Sequence, residues 1–259
     1  MADQSRLASL LGPFRLIWIS IWVHYGAIKE AINREGLVSL LHPQRIRDDA
    51  VAKLFISTSD GFISYENTTN LSSLFKSAQG RILDLGAGPG NQIHRFDPSL
   101  VDFIYAIDPN PHFGHAITLK LKKHDLQDKY KLLTCGIEDS DILREEGITE
   151  GSMDTVLSTQ VLCSVGDVKS VMKEVWKLLK PGGRFVFWEH RKHKDTVPAV
   201  AQALWNPTWT ALVGCNLNRD IKADILAGGD WENPGDIEEA DDPYTCMPRT
   251  WGVLIKKKT

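Results

Sequence analysis

The fold of this chain is decided by the stretch Arg81-Ile-Leu-Asp-Leu-Gly-Ala-Gly-Pro-Gly90. Its first half, residues 81–85, is apolar and predicts a short buried strand. Glycines follow at alternate positions, Gly86, Gly88 and Gly90, and Asp84 lies two residues before the first of them. Glycine allows the positive φ angles and the close backbone approach that a bound ligand requires. The stretch therefore predicts a nucleotide-type ligand at the end of an open α/β sheet, although a lone glycine loop is also compatible with an ordinary tight turn.

A second acidic residue lies where such a site requires one. Residues 102–107 predict the next strand, which ends in Asp108, Pro109 and Asn110. Because the carboxyl ends of neighbouring parallel strands meet at one edge of the sheet, Asp108 is expected to accept hydrogen bonds from both hydroxyls of a ribose. A solvated turn aspartate before proline is the alternative, and the glycine loop upstream favours the ribose-binding interpretation.

Composition limits the classes of function. The chain has 259 residues, of which 42% are hydrophobic, and a formal net charge of −3. This length is sufficient for one α/β domain with an additional segment. The near-neutral charge argues against a nucleic-acid partner, which requires a basic surface. The four cysteines have no CxxC spacing, so the sequence predicts neither a zinc site nor a redox pair, and it favours a reducing, cytoplasmic compartment.

Strand and helix patterns alternate after the first strand. Further strands are predicted at 130–134, 153–158 and 184–188, and helices at about 91–96, 112–123 and 167–179. Helices at 199–212 and 218–227 are followed by two strands, at about 230–239 and 250–256, which predict a C-terminal antiparallel hairpin. The expected fold class is α/β, with a Rossmann-like, mostly parallel sheet and N-terminal helices. Residues 1–79 are expected to form the helical segment and residues 80–259 the ligand-binding domain.

The N-terminal segment is apolar and rich in aromatic residues. A helix is predicted from about Phe14 to Ile28, where Trp18, Trp22 and Tyr25 share one face. Shorter helices are predicted at about 31–41, 46–56 and 65–75. The apolar stretch is too short and too interrupted by charge for a transmembrane span. Two interpretations remain open: a lid over the substrate pocket, or a helix that lies in a membrane interface.

The order of these motifs resembles that of the class I S-adenosylmethionine-dependent methyltransferases, whose characteristic turn before the fifth strand is similar to Leu179-Lys-Pro-Gly-Gly-Arg184. A narrower resemblance, to the methyltransferase-like protein 7 (thiol methyltransferase) family, spans residues 80–226. It is carried by Ile107-Asp-Pro-Asn-Pro111, Val161-Leu-Cys-Ser-Val165, Trp188-Glu-His190, Trp205-Asn-Pro-Thr-Trp209 and Gly214-Cys-Asn-Leu-Asn-Arg219. The resemblance implies S-adenosyl-L-methionine as cofactor and a small apolar thiol or hydroxyl compound as substrate. It also implies a peripheral contact with the cytoplasmic face of the endoplasmic reticulum or of lipid droplets.

The resemblance also implies positions for the cofactor. Gly86, Gly88 and Gly90 would approach its methionine portion, Asp84 its amino group, and Asp108, Pro109 and Asn110 its ribose. Ile137 and Glu138 are expected at the adenine, although Ile137 is equally compatible with the core. Thr159 and Gln160, just after the fourth strand, are expected to face the methionine portion or the substrate.

Acceptor chemistry requires other side chains. A thiol or phenol must lose its proton before it accepts a methyl group, and His190 is the candidate general base, with a surface histidine as the alternative. Tyr25, Cys163, Trp205 and Trp209 are predicted to contact an apolar substrate, although each also suits a place in the core, and small buried cysteines are rarely nucleophiles. Two other functions remain open: a rearrangement or cyclisation aided by the sulfonium charge, and a non-catalytic, membrane-peripheral protein that binds the cofactor.

Overall fold

A single seven-stranded sheet forms the centre of the computed structural model, which describes residues 6–240 and 245–258. Its strand order is β3-β2-β1-β4-β5-β7-β6, and β7 runs antiparallel to β5 and β6. The strands are β1 (Gly80–Leu85), β2 (Val101–Ile107), β3 (Tyr130–Leu133), β4 (Met153–Thr159), β5 (Leu179–His190), β6 (Glu238–Glu239) and β7 (Arg249–Ile255). The predicted fold class is confirmed.

Nine α-helices lie among the described residues and surround this sheet. They are α1 (Arg6–Leu10), α2 (Gly12–Glu35), α3 (Pro43–Glu66), α4 (Leu71–Phe75), α5 (Gly114–His124), α6 (Ser140–Glu145), α7 (Val168–Leu178), α8 (Thr196–Leu212) and α9 (Ile221–Ala227). Short 3-10 helices cover Gly36–Leu41, Ile93–Arg95, Pro111–Phe113, Gln127–Lys129 and Pro234–Asp236. Side chains of the central strands, such as Leu83 and Val156, are buried, as expected for a parallel sheet covered on both faces.

The N-terminal helices have different bounds from those that the sequence predicts. Residues 31–35 continue α2, and residues 36–41 form a 3-10 helix instead of a separate α-helix. The helix predicted at 46–56 is part of the uninterrupted 24-residue helix α3, which begins at Pro43. Proline suits the first position of a helix, because a backbone N–H there would have no acceptor within the helix. The helix predicted at 65–75 is reduced to α4, because α3 ends at Glu66 and a turn follows it.

Two other predicted elements are wrong in extent. Only a 3-10 turn, Ile93–Arg95, replaces the helix expected at 91–96, because Asp97 precedes a proline and Phe96 is already extended. The strand expected at 230–239 is limited to Glu238–Glu239 and an isolated bridge at Trp231, since Pro234 begins a 3-10 turn. By contrast β5 is longer than predicted and includes the glycine turn at 182–183.

The N-terminal helices share a hydrophobic cluster with the rest of the chain. Ile17 of α2 and Leu54 of α3 pack with Trp209 of α8 and with Cys163 and Cys215. Two hydrogen bonds reinforce this contact: the Ser20 hydroxyl donates to the carbonyl of Leu212, and the Trp205 indole donates to that of Leu10. The division at residue 79 stays a prediction, and residues 1–5 of the first segment lie outside the described residues.

Candidate active site

One cavity of about 1470 Å³ opens at the carboxyl ends of β1, β2, β4 and β5. Strand order reverses between β1 and β4, and open α/β sheets bind their ligands outside the strand ends at such a switch point. Helices α2 and α3 wall the cavity on the other side through side chains such as Leu16, Ile19 and Phe55. The cavity therefore joins the predicted cofactor residues to an apolar wall that the N-terminal helices supply.

The glycine loop lies at one end of this cavity. Gly86, Gly88 and Gly90 have backbone φ angles of 58°, 52° and 74°, which residues other than glycine rarely adopt. A Cβ on Gly86 would lie 2.7 Å from the Val161 side chain, whereas one on Gly88 would meet little. Gly86 and Gly88 line the cavity. Gly90 instead packs against Ile93, 2.6 Å from its would-be Cβ, so its role is to shape the loop.

Asp84 and Asp108 supply the negative charge at this end. Both carboxylates are buried. The Asp108 oxygens accept hydrogen bonds from the amides of Gly88 and Asn110, each at 2.9 Å, so the carboxylate is held in one orientation with lone pairs free. Burial raises the pKa of Asp108. Burial and the charge of Asp108 raise the pKa of Asp84 to about 7. A cation placed beside this pair would relieve its repulsion, which suits the charged methionine portion of the expected cofactor.

The residues expected around the ribose and adenine also line the cavity. They are Pro109 and Asn110 after β2, and Ile137 and Glu138 after β3. The Asn110 side chain donates to the carbonyl of Asp48 at 2.8 Å, which ties α3 to the cofactor loop. Ile137 is buried, belongs to the main hydrophobic core and lines the cavity, so its place is compatible with both predicted roles, while Glu138 is exposed.

Thr159 and Gln160 line the cavity, and their contact with the methionine portion or the substrate stays a prediction. Gln160 has a φ of 60°, a strained conformation for its residue type that often occurs at functional sites. The side-chain amide nitrogen of Gln160 donates to the Glu66 carboxylate, and its side-chain oxygen accepts from the Arg249 guanidinium, both at 3.0 Å. Glu66 is itself buried in an ion pair with Arg95. This chain of contacts connects α3, the loop after β4 and β7 across the cavity.

Three other side chains of the cavity lining come from separate segments and meet one another. His190 ends β5, Cys163 follows β4 and Cys215 follows α8, and all three are buried while they line the cavity. The Cys215 sulfur lies 3.5 Å from His190 Nε2, and the Trp209 indole donates to the same sulfur at 3.0 Å. His190 Nδ1 has no hydrogen-bond partner among residues 6–240 and 245–258. His190 is therefore a buried cavity residue and the surface alternative is excluded.

The two cysteines differ in acidity. A hydrogen bond from Cys163, a second from Trp209 and the positive charge of Arg249 hold the pKa of Cys215 below its ordinary value, although burial opposes them. Cys163 has the opposite shift, because its hydrogen bond to Cys215 and its burial raise its pKa well above the ordinary value. Of the two thiols, Cys215 is therefore the one that loses its proton more readily.

Glu189, the neighbour of His190, does not orient the imidazole. Its carboxylate accepts hydrogen bonds from the Ser158 hydroxyl at 2.7 Å and from the amides of Val161 and Leu162. Alternation along β5 turns the two neighbouring side chains to opposite faces of the sheet. Glu189 therefore fixes the loop that carries Cys163, and burial raises its pKa while the hydrogen bonds oppose that shift.

Two substrate predictions are wrong in position. Tyr25 lies on the outer face of α2, with 59% of its surface exposed, and does not line the cavity. Trp205 of α8 contacts α1, where its indole N–H donates to the carbonyl of Leu10. It also lies outside the cavity lining. Cys163 and Trp209 do line the cavity as predicted, and both also belong to the hydrophobic cluster.

Three residues of the site were missed by sequence reasoning. Glu66 ends a long helix, Arg249 begins the last strand, and Cys215 was interpreted as a small buried side chain. Arg249 stacks on Trp188 at 4.5 Å, and its Nε and Nη1 atoms have no hydrogen-bond partner in the described part of the chain. Nothing in the local sequence marks Glu66 or Arg249. The pairing of Cys215 with His190 had a weak signal, since both lie in stretches that resemble the thiol methyltransferases.

Comparisons with known proteins agree with this geometry. Residues 83–187 match the family model described as a methyltransferase domain. The human thiol S-methyltransferase TMT1B is 32% identical over 151 residues, which are 58% of this chain and 59% of that protein. The alignment therefore spans less than two thirds of the relative's length.

Solved structures show the same fold at low sequence identity. An O-methyltransferase family protein from Burkholderia thailandensis is similar with a TM-score of 0.60 at 16% identity, over 96% of this chain and 72% of that one. The cyclase SpnF is similar with a TM-score of 0.53 at 15% identity, over 73% of this chain and 81% of that one. Residues 83–187 thus match a methyltransferase domain, over part of its length the chain is similar to the thiol S-methyltransferases, and its fold is that of the solved structures.

Proposed function

We propose that this protein transfers the methyl group of S-adenosyl-L-methionine to the thiol of a small apolar molecule. The observation that carries the proposal is one cavity whose lining contains both the paired buried carboxylates, Asp84 and Asp108, and the cluster of Cys163, His190 and Cys215. The thiol S-methyltransferases with which the chain aligns act on thiols, as their name states. A hydroxyl acceptor is the runner-up.

The residues of the cofactor end fit the cofactor by their chemistry. Asp108 presents a carboxylate, already held by two backbone amides, to the ribose hydroxyls, and Asp84 suits a cationic amino group. Gly86 and Gly88 leave room for a close approach of the backbone. The cofactor supplies an activated methyl group, so the protein mainly has to align the acceptor with it.

Several of the residues that pack around the cluster are apolar. Leu16 and Ile19 of α2, Phe55 of α3 and Val213 line the cavity and pack with Cys163, Trp209 and Cys215. Such walls exclude water and favour an apolar acceptor. His190 lies beside the acceptor end, and its action as a general base stays a prediction.

Formation of S-adenosylhomocysteine tests this function. Purified protein is incubated with labelled S-adenosylmethionine and a panel of alkyl thiols and aryl thiols, with phenols and alcohols of the same carbon skeleton as matched controls. The proposal expects S-adenosylhomocysteine and a methyl thioether in equal amounts, with thiols faster than their hydroxyl counterparts. Conversion of phenols alone would establish the hydroxyl alternative, and isomerised products without S-adenosylhomocysteine would establish a cyclase.

The outer face of α2 supports a second proposal, a peripheral contact with a membrane surface. Phe14, Trp18, Trp22 and Tyr25 form a continuous ladder of ring contacts, with centroids 6.0 to 6.3 Å apart, and each side chain is about half exposed. Leu37, Val38, Leu40 and Leu41 of the following 3-10 helix are exposed as well. Tryptophan and tyrosine suit the boundary between lipid and water, since their rings are apolar and their edges are polar.

Among the described residues, no helix is long and apolar enough to cross a membrane. We therefore propose that α2 lies on the cytoplasmic surface of an endoplasmic reticulum membrane or lipid droplet, with its inner face toward the cavity. Full-length protein should float with anionic liposomes at low salt. The Trp18→Ser/Trp22→Ser variant should remain in the soluble fraction, while Leu119→Ser, a control on the exposed face of α5, should float. Equal flotation of all three proteins, or of none, would contradict the membrane proposal.

A further inference from the structure

Cys163, His190 and Cys215 form a cluster with the dimensions of a metal site. Their ligand atoms, two sulfurs and an imidazole nitrogen, all lie within 4.8 Å of one another, and all three residues are buried. Tetrahedral zinc with bonds of about 2.3 Å to sulfur and about 2.0 Å to nitrogen places these two ligand atoms about 3.5 Å apart. The distance from Cys215 Sγ to His190 Nε2 is 3.5 Å. Little movement is therefore needed for the three side chains to bind one ion.

The contacts around the cluster suit a metal-bound thiolate. His190 presents Nε2 to the sulfur of Cys215, so Nε2 is its ligand atom, while Nδ1 has no hydrogen-bond partner among the described residues. The Trp209 indole donates to that sulfur at 3.0 Å, which is the kind of outer contact that holds a metal-bound thiolate in place.

The ligand set and its surroundings select the ion and the role. Two thiolates and one imidazole favour Zn²⁺, and zinc sites with three protein ligands keep the fourth position open for a substrate. Two thiolates neutralise Zn²⁺, so a third thiolate would make the site negative. Arg249 carries the compensating charge: it lines the same cavity, and its Nε and Nη1 are unpaired among the described residues.

We propose that Cys163, His190 and Cys215 bind Zn²⁺ and that the fourth position receives the acceptor thiol. The thiol gives its proton to solvent as its sulfur bonds to zinc, because a coordinated thiol is deprotonated outright. A sulfur lone pair then forms the bond to the methyl carbon. The carbon–sulfonium bond breaks, and its electron pair stays on the sulfur of S-adenosylhomocysteine. The neutral thioether that results is a weaker ligand and leaves. This step rests on the proposed function, whereas zinc binding itself does not.

Metal binding is measured first, on full-length reduced protein. Zn²⁺ is titrated against a chromogenic chelator for the wild type and for Cys163→Ser, Cys215→Ser and His190→Ala. Cys246→Ser is the matched control, because that cysteine is also buried and free but lies outside the cluster. We expect one Zn²⁺ per chain in the wild type and the control, and a loss of about 100-fold or more in affinity in each cluster variant. Unchanged cofactor binding in the variants shows that they are folded.

The open position is tested with Co²⁺ in place of Zn²⁺. Thiolate ligands give Co²⁺ a charge-transfer absorption, and tetrahedral coordination gives it intense visible bands. Addition of an alkyl thiol should increase the thiolate absorption of the wild type, and the matching alcohol should not. An unchanged spectrum with the thiol would overturn the assignment of the fourth position.

The remaining outcomes separate the zinc proposal from the proposed function. Wild-type protein that binds Zn²⁺ no better than Cys163→Ser overturns the zinc site. Full thiol methylation by chelator-treated, zinc-free protein overturns the role of zinc and leaves the methyltransferase function intact. Zinc bound in the wild type and lost in the cluster variants, without methylation of any thiol, supports the site and contradicts the function.

Discussion

The two ends of the cavity are built in different ways. At the cofactor end, Asp84 and Asp108 come from adjacent strands, and backbone amides of the same segment hold the Asp108 carboxylate. At the acceptor end, Cys163, His190 and Cys215 come from three separated segments, and most of their neighbours are apolar. The proposed cofactor end is a polar cradle of carboxylates and backbone amides, and the proposed acceptor end is a cluster of two thiols and an imidazole with apolar neighbours. We therefore expect that a substitution at one end changes the function of that end, cofactor binding or methyl transfer, and leaves the other largely unchanged.

The largest effect is expected at the acceptor end. His190→Ala should lower thiol methylation by about 100-fold or more, because the group that holds or deprotonates the acceptor is lost. Cofactor affinity should hardly change, since the glycine loop and Asp108 follow β1 and β2, whereas His190 ends β5. Steady-state kinetics and calorimetry on the same samples provide both measurements.

His115→Ala is the matched control for this experiment, because His115 is exposed on α5. Unaltered turnover in His190→Ala would remove the histidine from the reaction. An equal loss of cofactor affinity and turnover would show that the two ends are not independent.

At the cofactor end the expected effect is on affinity. Asp108→Ala removes the ribose acceptor and leaves the amides of Gly88 and Asn110 without their partner. A loss of about 1–3 kcal/mol in cofactor binding follows, which calorimetry would measure as a weakening of about 5- to 150-fold. Asp102→Ala, an exposed carboxylate on the same strand, should bind the cofactor normally. Wild-type affinity in Asp108→Ala would contradict the ribose assignment.

The smallest effect concerns the pH dependence of cofactor binding. Burial and the charge of Asp108 raise the pKa of Asp84 to about 7, so the free protein holds a proton there below that pH. A raised carboxyl pKa favours the folded state at low pH, and this contribution is lost as the pH rises through 7. A cationic ligand favours the ionised form, so its binding must displace that proton and is weaker at low pH.

Cofactor affinity should therefore rise about tenfold between about pH 6 and about pH 8, with proton release on binding below pH 7. Calorimetry in buffers of different ionisation enthalpy measures both quantities. Asp84→Asn should bind more weakly at high pH and lose most of the pH dependence. A wild-type affinity that does not change with pH would show that Asp84 is not beside the cationic part of the cofactor.

The amino-acid sequence by itself determined the fold class and the meeting of Asp84, the glycine loop and Asp108 beside one another. Alternating strand and helix patterns are local, and so is the spacing from Asp84 through the glycine loop to Asp108, because one βαβ unit carries all of it. The order of strands in such a unit dictates which strand ends are neighbours. The sequence alone therefore predicts that Asp84, the glycine loop and Asp108 lie close together. Helix ends were predicted less well where a helix passes through residues without strong breakers, as in α3.

Only the tertiary structure decided what the acceptor end contains. Cys163 and Cys215 lack CxxC spacing, and their sulfurs meet because β4, β5 and the segment after α8 converge at one sheet edge. Glu66, Gln160 and Arg249 likewise become one network only when α3 and β7 close over the loop after β4. The same holds for α2: periodicity grouped Trp18, Trp22 and Tyr25 on one face, but packing of Ile17 against α3 and α8 turned that face outward. Contacts between residues that are distant in the sequence depend on how whole helices and strands pack together, and the local spacing of residues does not predict that packing.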